Sequence, residues 1–460
     1  MPEASIHENC DASAREDDIG RSPQRLKRAM VDPIPVPEGE QLFAHPKLDQ
    51  RVSSLVRTHR STHALGRGPG LLHFCHGSKV VPRSQLRRAG SGRPVTTSSI
   101  EYMDKNPIRV LDLFAGAGGF TQGFHEADPR FHTVQAVEMD IAAAATFSVN
   151  FARSAVFAGR IQDWLHADDL PSEIDVIIGG PPCQGFSTLG KQDVEDDRNF
   201  LWEQYAETIR RVRPKIFIVE NVAAFAKSPQ FALFHATLET DPDFSEYSIE
   251  WRILNSADYG APQARKRAVM IGHRNDVKKP RWPERTHKTS PRTVQHAFHG
   301  VPQEVSCSAL ADRTLEYAGA TLKGPYSGRE LHVGRDYTEL SLKRFARIPE
   351  GGNRFNIPDE LLAPCWRAHR SGSGDVMGRL RWNKPSVTIR TEFFKPEKGR
   401  YLHPVADRAI THHEAALLQG FPIDFKFVGS RTAIARQIGN AVPIQLGAAI
   451  AKVIAEALTF

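Results

Sequence analysis

The sequence predicts an α/β protein in which a doubly wound, mostly parallel sheet is joined to a second, smaller and irregular domain. Three observations lead to this fold class. From residue 108 onwards, short apolar runs alternate with helix-like segments, which is the pattern of βαβ units. Glycines at 116, 118 and 119 form a tight turn after the first of these runs. Beyond residue 275 the alternation stops, and Pro, Gly, His and Arg become frequent.

The individual elements follow from the spacing of the apolar residues. Strands are predicted at 109–114, 133–137, 174–178 and 215–219. Helices are predicted from residue 119, over 141–151 and near 199–212. A hairpin of 248–254 with 267–271 is predicted to complete the sheet, and an amphipathic helix is predicted at 444–458.

Composition divides the chain into four predicted parts. Residues 1–105 are rich in Arg, Ser, Pro and Gly, and we expect this extension to be partly disordered. Residues 106–274 form the α/β domain, and 275–430 form a loop-rich domain for which we expect mostly β character. Residues 431–460 form a final segment.

The formal net charge of +7 is unevenly distributed: residues 1–50 hold six basic and ten acidic residues, and the positive charge is concentrated in the second half of the N-terminal extension. Residues 51–100 hold eight Arg and one Lys and no acidic residue. Such a run attracts polyanions, of which nucleic acid is the obvious one. A solvated tail without a partner is the alternative, and the sequence leaves both open.

Cysteine usage and hydropathy indicate the cellular setting. The five cysteines are scattered and odd in number and contain no C-x-x-C pair, so neither a disulfide framework nor a metal site is predicted. No apolar run approaches the roughly 18–20 residues that span a membrane. The first twenty residues lack the apolar core of a secretion signal. We therefore expect a cytoplasmic protein without a membrane partner.

The most informative segment is Pro181-Pro182-Cys183, which follows an apolar run ending in two glycines. The prolines restrict the backbone before the thiol, and a polar sequence follows it. A free cysteine is usually a small buried hydrophobe. A thiol at the point where a buried strand opens into a loop is instead placed to attack a substrate, and the pattern favours this interpretation.

A second group of residues indicates a ligand site at the ends of the first three strands. The turn DLFAGAGGF (112–120) lets the backbone approach a ligand closely. Glu138 ends the second strand, where a carboxylate can bind both hydroxyls of a ribose, and Asp163 follows the third strand. The turn alone is compatible with a phosphate or with a nucleoside that lacks one. Each carboxylate alone could be a helix cap, but together they favour the nucleoside.

Taken together and in this order, the motifs resemble those of the bacterial DNA (cytosine-5) methyltransferases of restriction-modification systems. The resemblance spans residues 108–274 and 379–458. The motifs are DLFAGAGGF (112–120), GGPPCQGFS (179–187), Glu220-Asn221-Val222, QARKR (263–267) and QIGNAVP (437–443). The resemblance implies a Rossmann-like catalytic domain that binds S-adenosylmethionine and a target-recognition domain at 275–430. It also implies that residues 431–460 return to the catalytic domain and that duplex DNA lies in the cleft between the domains.

By motif position, the resemblance also implies which residues bind the cofactor. Phe114 is expected to stack on adenine, Glu138 to bind the ribose and Asp163 to bind the adenine amino group. The remaining members of this set are Asp112, Gly116, Gly118, Met139, Pro181 and Asn440. Relatives often have an aromatic residue at the position of Met139, so we expect weaker adenine stacking there.

The chemistry implied by the resemblance needs a nucleophile, an acid and groups that hold the base. Cytosine C5 is a poor nucleophile until the thiolate of Cys183 adds to C6. Glu220 is expected to protonate N3, and Asn221 to orient the loop backbone. Arg267 is expected to hold the base O2, and Arg265 to support the active-site loop and Glu220. A base that the sequence does not identify then removes the C5 proton, and Cys183 leaves.

The DNA substrate sets further expectations. C5 and C6 are inaccessible within the stacked duplex, so the target cytosine must be flipped out. The loop at 186–199 is expected to close over DNA, and the region 280–378 to read base edges. Arg390 is expected to be structural or to contact phosphate. We expect a monomer, and a cognate restriction endonuclease is a partner that the sequence leaves open.

Three other interpretations are open at this point. One branch of the same family modifies cytosine in tRNA, although the motif after Pro-Pro-Cys, the long variable domain and the basic extension favour DNA. A non-catalytic DNA-binding regulator could share the fold, but it would not need the intact set Cys183, Glu220, Arg265 and Arg267. A nicotinamide-dependent oxidoreductase would explain the glycine-rich turn but not Pro-Pro-Cys.

Overall fold

A computed structural model of the chain describes residues 106–167, 169–182, 201–368 and 371–459. Its centre is a seven-stranded sheet with the strand order β3-β2-β1-β4-β5-β7-β6. The strands are β1 Ile108–Leu113, β2 Phe131–Glu138, β3 Ala155–Ala158, β4 Val176–Gly179, β5 Ile216–Val222, β6 Tyr247–Asn255 and β7 Lys266–Arg274. Within this sheet β7 alone runs against its neighbours, because it pairs antiparallel with both β5 and β6 whereas the other pairs are parallel.

The strands predicted from the sequence are confirmed, with bounds that differ by a few residues. The predicted hairpin corresponds to β6 and β7, which pair from Tyr247 with Arg274 to Asn255 with Lys266. Its second strand lies inside the sheet beside β5, and its first strand forms the edge. The hairpin is therefore inserted into the sheet in reverse order, and this arrangement brings the start of β7 to the carboxyl end of β5.

Helices cover both faces of the sheet. They are α1 Gly119–Ala127, α2 Ile141–Asn150, α3 Ile161–Leu165, α4 Leu201–Val212 and α5 Pro229–Thr240. Strand β1 shows why both faces are apolar, since successive side chains of a strand point to opposite sides. Val110 belongs to the core that includes Phe124 of α1. Leu111 belongs to the core that includes Trp164 of α3 and Tyr205 of α4.

The end of the chain returns to the sheet as two helices, α10 Arg431–Asn440 and α11 Ile444–Ala457. A Cβ added at Gly123 of α1 would lie 2.7 Å from the Ile444 carbonyl oxygen and 2.8 Å from the Ala448 nitrogen. The backbones of α1 and α11 are therefore in direct contact at this glycine, where a larger residue would not fit. Helix α11 agrees with the helix predicted at 444–458.

The region 275–430 is irregular, as predicted, but the expectation of mostly β character is wrong. Its described residues contain only short strands, together with short helices. The strands are β8 Thr314–Tyr317, β9 Ala320–Lys323, β10 Tyr326–Ser327 and β11 Lys426–Phe427; the helices are α6 Val294–Ala297, α7 Glu339–Phe345, α8 Pro364–Ala368 and α9 His412–Gln419. Helix α8 falls into a compact unit separate from the rest of the described chain.

A buried guanidinium, rather than a large sheet, holds much of this region together. Arg379 is only 3% exposed, and its donors bond to partners in two separate stretches of chain, 345–348 and 403–407. The partners are the carbonyl oxygens of Phe345, Ile348, His403 and Ala406 and the carboxylate of Asp407. A buried charge of this kind is tolerated because each hydrogen-bonding group is matched.

Within the described residues, no single helix is long and apolar enough to cross a membrane. Helices α10 and α11 reach that length and composition only when they are counted together, across a bend of 42°. The basic extension 1–105 lies outside the described residues, and the four-part division of the chain stays a prediction.

Candidate active site

The predicted site residues lie at the carboxyl edge of the sheet. The register aligns Leu113 of β1 with Val137 of β2 and Gly179 of β4, and Gly179 with Val219 of β5. The residues that directly follow these four are therefore neighbours: Phe114, Glu138, Gly180 and Glu220. Because β7 runs in the opposite direction, it begins at the same edge, with Arg267 paired to the last residue of β5. Ligands of open α/β sheets bind at this edge.

The glycine-rich turn after β1 has a strained but well-packed backbone. Phe114, Gly116 and Gly118 have φ values of 56°, 56° and 87°, in the left-handed region. A Cβ at Gly118 would lie 2.4 Å from the ring of Phe151, so both the backbone conformation and the space require glycine there. The Ala115 nitrogen donates to the Val137 carbonyl oxygen at 3.1 Å, which ties the turn to β2.

Glu138 connects the turn to the next loop. Its Oε2 accepts a hydrogen bond from the Gly116 nitrogen at 2.8 Å, and its Oε1 accepts one from the Asp140 nitrogen at 2.7 Å. Burial raises the pKa of the Glu138 carboxyl, and the two backbone donors act in the opposite direction. Asp140 in turn caps α2 through hydrogen bonds from the nitrogens of Ala142 and Ala143. The carboxylate predicted to bind ribose is thus held in place by the backbone.

Three other predicted cofactor residues are accessible at this edge. Met139 follows Glu138 and is 64% exposed. Asp163 is exposed in the first turn of α3. Asn440 is exposed at the end of α10, and the Cβ of the next residue, Ala441, lies 3.1 Å from the position that a Cβ on Gly119 would take. The C-terminal segment therefore does approach the glycine-rich turn.

Asp112 is in a different position from the one expected of a cofactor ligand. It is 1% exposed, and its carboxylate accepts a hydrogen bond from the Thr121 hydroxyl at 2.7 Å. The expectation of direct cofactor contact is therefore corrected: Asp112 fixes the start of α1 from inside the fold. Burial raises the pKa of Asp112 to about 7, Thr121 lowers it in part, and the nearby charge of Glu138 raises it further.

The predicted nucleophile, Cys183, and the loop 186–199 lie outside the described residues. The two prolines before the thiol are described, and their surroundings show how the segment is anchored. Asn221 donates from Nδ2 to the Pro181 carbonyl oxygen at 2.8 Å, and its own Oδ1 accepts from the Val222 nitrogen. A Cβ at Gly180 would lie 3.1 Å from Glu220 Oε2. The backbone two residues before Cys183 is therefore held against the end of β5, as expected of Asn221.

Glu220 forms a buried ion pair with Arg267. Glu220 Oε1 lies 2.7 Å from Arg267 Nε, and both side chains are largely excluded from solvent. Oε1 accepts no well-directed hydrogen bond among the described residues. Arg267 also donates from Nη1 to the Lys266 carbonyl oxygen at 2.8 Å. The pair joins the predicted acid to the predicted base-binding group.

Arg265 was expected to support the active-site loop and Glu220; the loop lies outside the described residues, and the ion pair with Glu220 is formed by Arg267. Arg265 instead donates from Nη1 to the Ile389 carbonyl oxygen at 2.6 Å and from Nη2 to the Gly439 carbonyl oxygen at 2.8 Å. It is 4% exposed. Two arginines that are two residues apart therefore serve different parts of the site.

Two buried glutamines near Arg265 were not assigned a role from the sequence. Gln263 accepts from the Ile389 nitrogen at 2.7 Å and donates to Gln419 Oε1 at 2.8 Å. Gln419 donates onward to the Ile438 carbonyl oxygen at 2.5 Å. Gln263 stands in the QARKR motif, which could have pointed to it, whereas Gln419 carries no such signal because it lies in a helix with no motif. Across the described ranges, no cluster of three potential metal ligands is present.

Replacing Asp112 by Asn should change how stability depends on pH. Between about pH 4 and 7 the folded protein holds a proton on Asp112 that the unfolded chain has lost, because the folded pKa is raised from 3.8 to about 7. This group's contribution to stability therefore falls as the pH rises through that window. The Asp112→Asn side chain is neutral throughout. From pH 5 to pH 8 its free energy of unfolding should fall by about 2–3 kcal/mol less than that of the parent. Urea unfolding at four pH values measures the difference, and parallel curves would contradict the assignment.

Comparison with known proteins gives the same result from two directions. The profile of the family described as C-5 cytosine-specific DNA methylase matches residues 108–456. The Type II methyltransferase M1.HphI of Haemophilus parahaemolyticus is 33% identical over 363 residues, covering 75% of this chain and 86% of that protein. The Type II methyltransferase M.XorII of Xanthomonas oryzae pv. oryzae is 33% identical over 379 residues, covering 76% and 84%.

A solved structure supports the same fold. A prophage-encoded protein of E. coli superposes with a TM-score of 0.55 at 25% identity, covering 76% of this chain and 99% of that one. Because the family profile spans most of the sequence, the chain belongs to the C-5 cytosine-specific DNA methylase family, and it transfers a methyl group from S-adenosylmethionine to C5 of cytosine in DNA.

Proposed function

We propose that the chain methylates one cytosine within a defined duplex sequence, as the modification enzyme that accompanies a cognate restriction endonuclease, and that it acts as a monomer. The names and identities of the two Type II relatives support this assignment. One observation carries the residue roles. The Asn221–Pro181 hydrogen bond lies beside the Glu220–Arg267 pair, so the segment that delivers Cys183 reaches the same place as the acid and the base-binding group.

The residues around the turn fit S-adenosylmethionine. Each carboxylate oxygen of Glu138 accepts one backbone N–H and keeps lone-pair capacity for a ribose hydroxyl. Asp163 is exposed and available to the adenine amino group, and Phe114 and Met139 offer apolar surface. Pro181, Gly116, Gly118 and Asn440 complete the wall. When bound, S-adenosylmethionine supplies an electrophilic methyl group.

Glu220 and Arg267 are the groups proposed to hold the flipped cytosine. Arg267 uses Nε on Glu220 and Nη1 on a backbone carbonyl, which leaves Nη2 without a partner among the described residues. A guanidinium N–H there suits the base O2. Glu220 presents an acceptor without a well-directed hydrogen bond, so a proton on this carboxyl can be shared with N3. Flipping a base out of the duplex costs a few kcal/mol, and contacts of this kind offset that cost.

Cys183 is proposed to form the covalent bond to the base. Its thiolate adds to C6 while N3 takes a proton from Glu220, and the ring becomes nucleophilic at C5. C5 then takes the methyl group as the sulfonium S–CH3 bond breaks, which leaves S-adenosylhomocysteine. A base that the sequence does not identify removes the C5 proton, the C6–S bond breaks to release the thiolate and restore the C5–C6 double bond, and N3 returns its proton to Glu220. Asn221 acts through the Pro181 carbonyl by fixing the backbone that leads to the thiol.

A mechanism-based trap tests the nucleophile. An oligonucleotide with 5-fluorocytosine at the target should give a complex with the parent that survives denaturation, because fluorine cannot leave C5 as a proton does. Cys183→Ala should abolish this complex, as denaturing electrophoresis will show. A trap that persists in Cys183→Ala would contradict the assignment. Loss of both methylation and trapping in the parent would favour the non-catalytic DNA-binding regulator.

Removing the Glu138 carboxylate should weaken cofactor binding. Hydrogen bonds to a charged group contribute about 1.5–3 kcal/mol, so Glu138→Ala should raise the Kd for S-adenosylhomocysteine by about 10-fold or more. Isothermal titration calorimetry measures this, with Glu126→Ala on the exposed face of α1 as the matched control. DNA binding should be largely kept. Equal titration curves for Glu138→Ala and the parent would exclude the ribose role.

The basic extension should add DNA affinity that does not depend on sequence. Its nine cations at 51–100 have no acid among them, and log Kd changes with log salt by about 0.9 for each phosphate contact on duplex DNA. Deleting residues 1–105 should therefore weaken binding to all duplexes and flatten the salt dependence, while the methylated sequence stays the same. Filter binding at several salt concentrations and bisulfite sequencing give the two readouts. An unchanged salt slope, or a changed target sequence, would count against this role.

A further inference from the structure

Helix α10 ends against buried side chains instead of solvent. The last carbonyl groups of a helix have no partner within the helix and need one elsewhere. Here the Ile438 carbonyl accepts from Gln419 Nε2, and the Gly439 carbonyl accepts from Arg265 Nη2 at 2.8 Å. Asn440, which is proposed to face the cofactor, follows directly. The position of this part of the proposed cofactor site is therefore fixed by Arg265, which directly precedes the strand that carries Arg267.

The same guanidinium holds a second, distant segment. Arg265 Nη1 donates to the Ile389 carbonyl oxygen at 2.6 Å, while the Ile389 nitrogen donates to Gln263 Oε1 at 2.7 Å. The neighbouring backbone continues the contact, since the Ala264 nitrogen donates to the Ser386 carbonyl and the Ser386 nitrogen donates to a carbonyl at residue 262. Residues 262–265 are thus hydrogen-bonded to both backbone groups of Ser386 and of Ile389, in the segment that leads to Arg390.

Glycine at 439 makes this contact possible. A Cβ there would lie 2.5 Å from the Thr391 nitrogen and 2.6 Å from the Arg390 carbonyl carbon. The end of α10 and the segment around Arg390 therefore touch each other through their backbones, and Arg265 bonds to both. Backbone contacts of this closeness allow little independent movement of the two segments.

Burying the charged side chain of Arg265 opposes folding. It is 4% exposed and has no acidic partner in contact among the described residues, and its Nε has no hydrogen-bond partner there. Burial, and repulsion from Arg267, lower the pKa of Arg265, and attraction to Glu220 acts in the opposite direction. A well-packed apolar side chain is often the more stable choice at such a position. Keeping the guanidinium therefore indicates a requirement for the two carbonyl contacts that it makes.

We propose that Arg265 is a positioning residue that couples the target-base pocket to the cofactor site. This inference rests on the proposed roles of Glu220, Arg267 and Asn440. A base held by Arg267 fixes the start of β7, Arg265 two residues earlier fixes the Gly439 carbonyl, and Asn440 is thereby held against the cofactor. Bound target DNA then raises cofactor affinity, and by thermodynamic linkage bound cofactor raises affinity for target DNA by the same factor.

The experiment is a double titration. The target sequence is first mapped by bisulfite sequencing of DNA from cells that express the chain. The Kd for S-adenosylhomocysteine is then measured by calorimetry with and without a duplex that carries that sequence, and the ratio is the coupling factor. We expect at least about fivefold for the parent. Arg265→Lys keeps the charge but cannot bond to both carbonyls in the same geometry. The coupling factor of Arg265→Lys should therefore be within twofold of one, which corresponds to almost no coupling.

Arg379→Lys is the matched control. Arg379 is an equally buried guanidinium, but its partners all lie within 345–407 and none belongs to α10. Its substitution should weaken DNA binding or stability while the coupling factor of the folded protein is kept. A parent ratio near one, an unchanged ratio in Arg265→Lys, or an equal loss in Arg379→Lys would each overturn the proposal.

A measurement on the unmodified enzyme covers the case in which Arg265→Lys does not fold. The target duplex alone, without cofactor, should slow amide hydrogen exchange in residues 438–442, because holding the base should steady the end of α10. Unchanged exchange there would overturn the proposal. If instead the parent neither methylates DNA nor forms the 5-fluorocytosine trap, the proposed catalytic roles fail, and that outcome is distinct from active methylation without coupling.

Discussion

The pairing of β5 with the reversed strand β7 is the constraint on which the rest of the site depends. Parallel strands can bring only their carboxyl ends to the ligand edge, and each contributes the residues that follow it. A reversed strand contributes the residues that precede it. Because β7 is inserted beside β5, Arg267 meets Glu220 at 2.7 Å and Arg265 lies just before the strand. An edge position for β7 would have separated these groups.

Buried polar side chains next to this strand pair hold the other segments of the site in place. Asn221, at the end of β5, holds the segment that leads to Cys183. Gln263 and Arg265, just before β7, hold the chain leading to Arg390 and the end of α10. Arg265 alone thus bonds to segments that lie 124 and 174 residues further along the chain. Such networks specify one arrangement because each unmatched group would cost a few kcal/mol.

The sequence predicted the sheet well because apolar strands and helices have distinct periods. It predicted the positions of Glu138, Asn221 and Glu220 because each stands at the end of such a strand. It failed where contacts are long-range. The partner of Glu220 could not be chosen between Arg265 and Arg267 from spacing alone, since both precede or begin the same strand. Asp112 sits in a cofactor motif, yet only the packing of Thr121 shows that its carboxylate points inward.

The second region was harder to predict for a physical reason. Its strands are two to four residues long, so even the alternation in exposure that β8 and β9 show is too short to mark a strand in the sequence. Its order comes from Arg379, whose four carbonyl partners are backbone atoms and leave no trace in the identity of the residues that carry them. Composition could indicate an irregular region there, but not the group around which it is organised.

Buried charge is concentrated where the chemistry is proposed to occur. Asp112, Glu138, Glu220, Arg265 and Arg267 all lie within or close to the carboxyl edge, and desolvation shifts the pKa of Asp112, Glu138 and both arginines. Burying these groups opposes folding, and the apolar cores on both faces of the sheet must offset that cost. A site made rigid in this way needs little rearrangement when a base and a cofactor arrive. Because Arg265 joins the segments around the target-base pocket and the cofactor site, a displacement of one site should also displace the other.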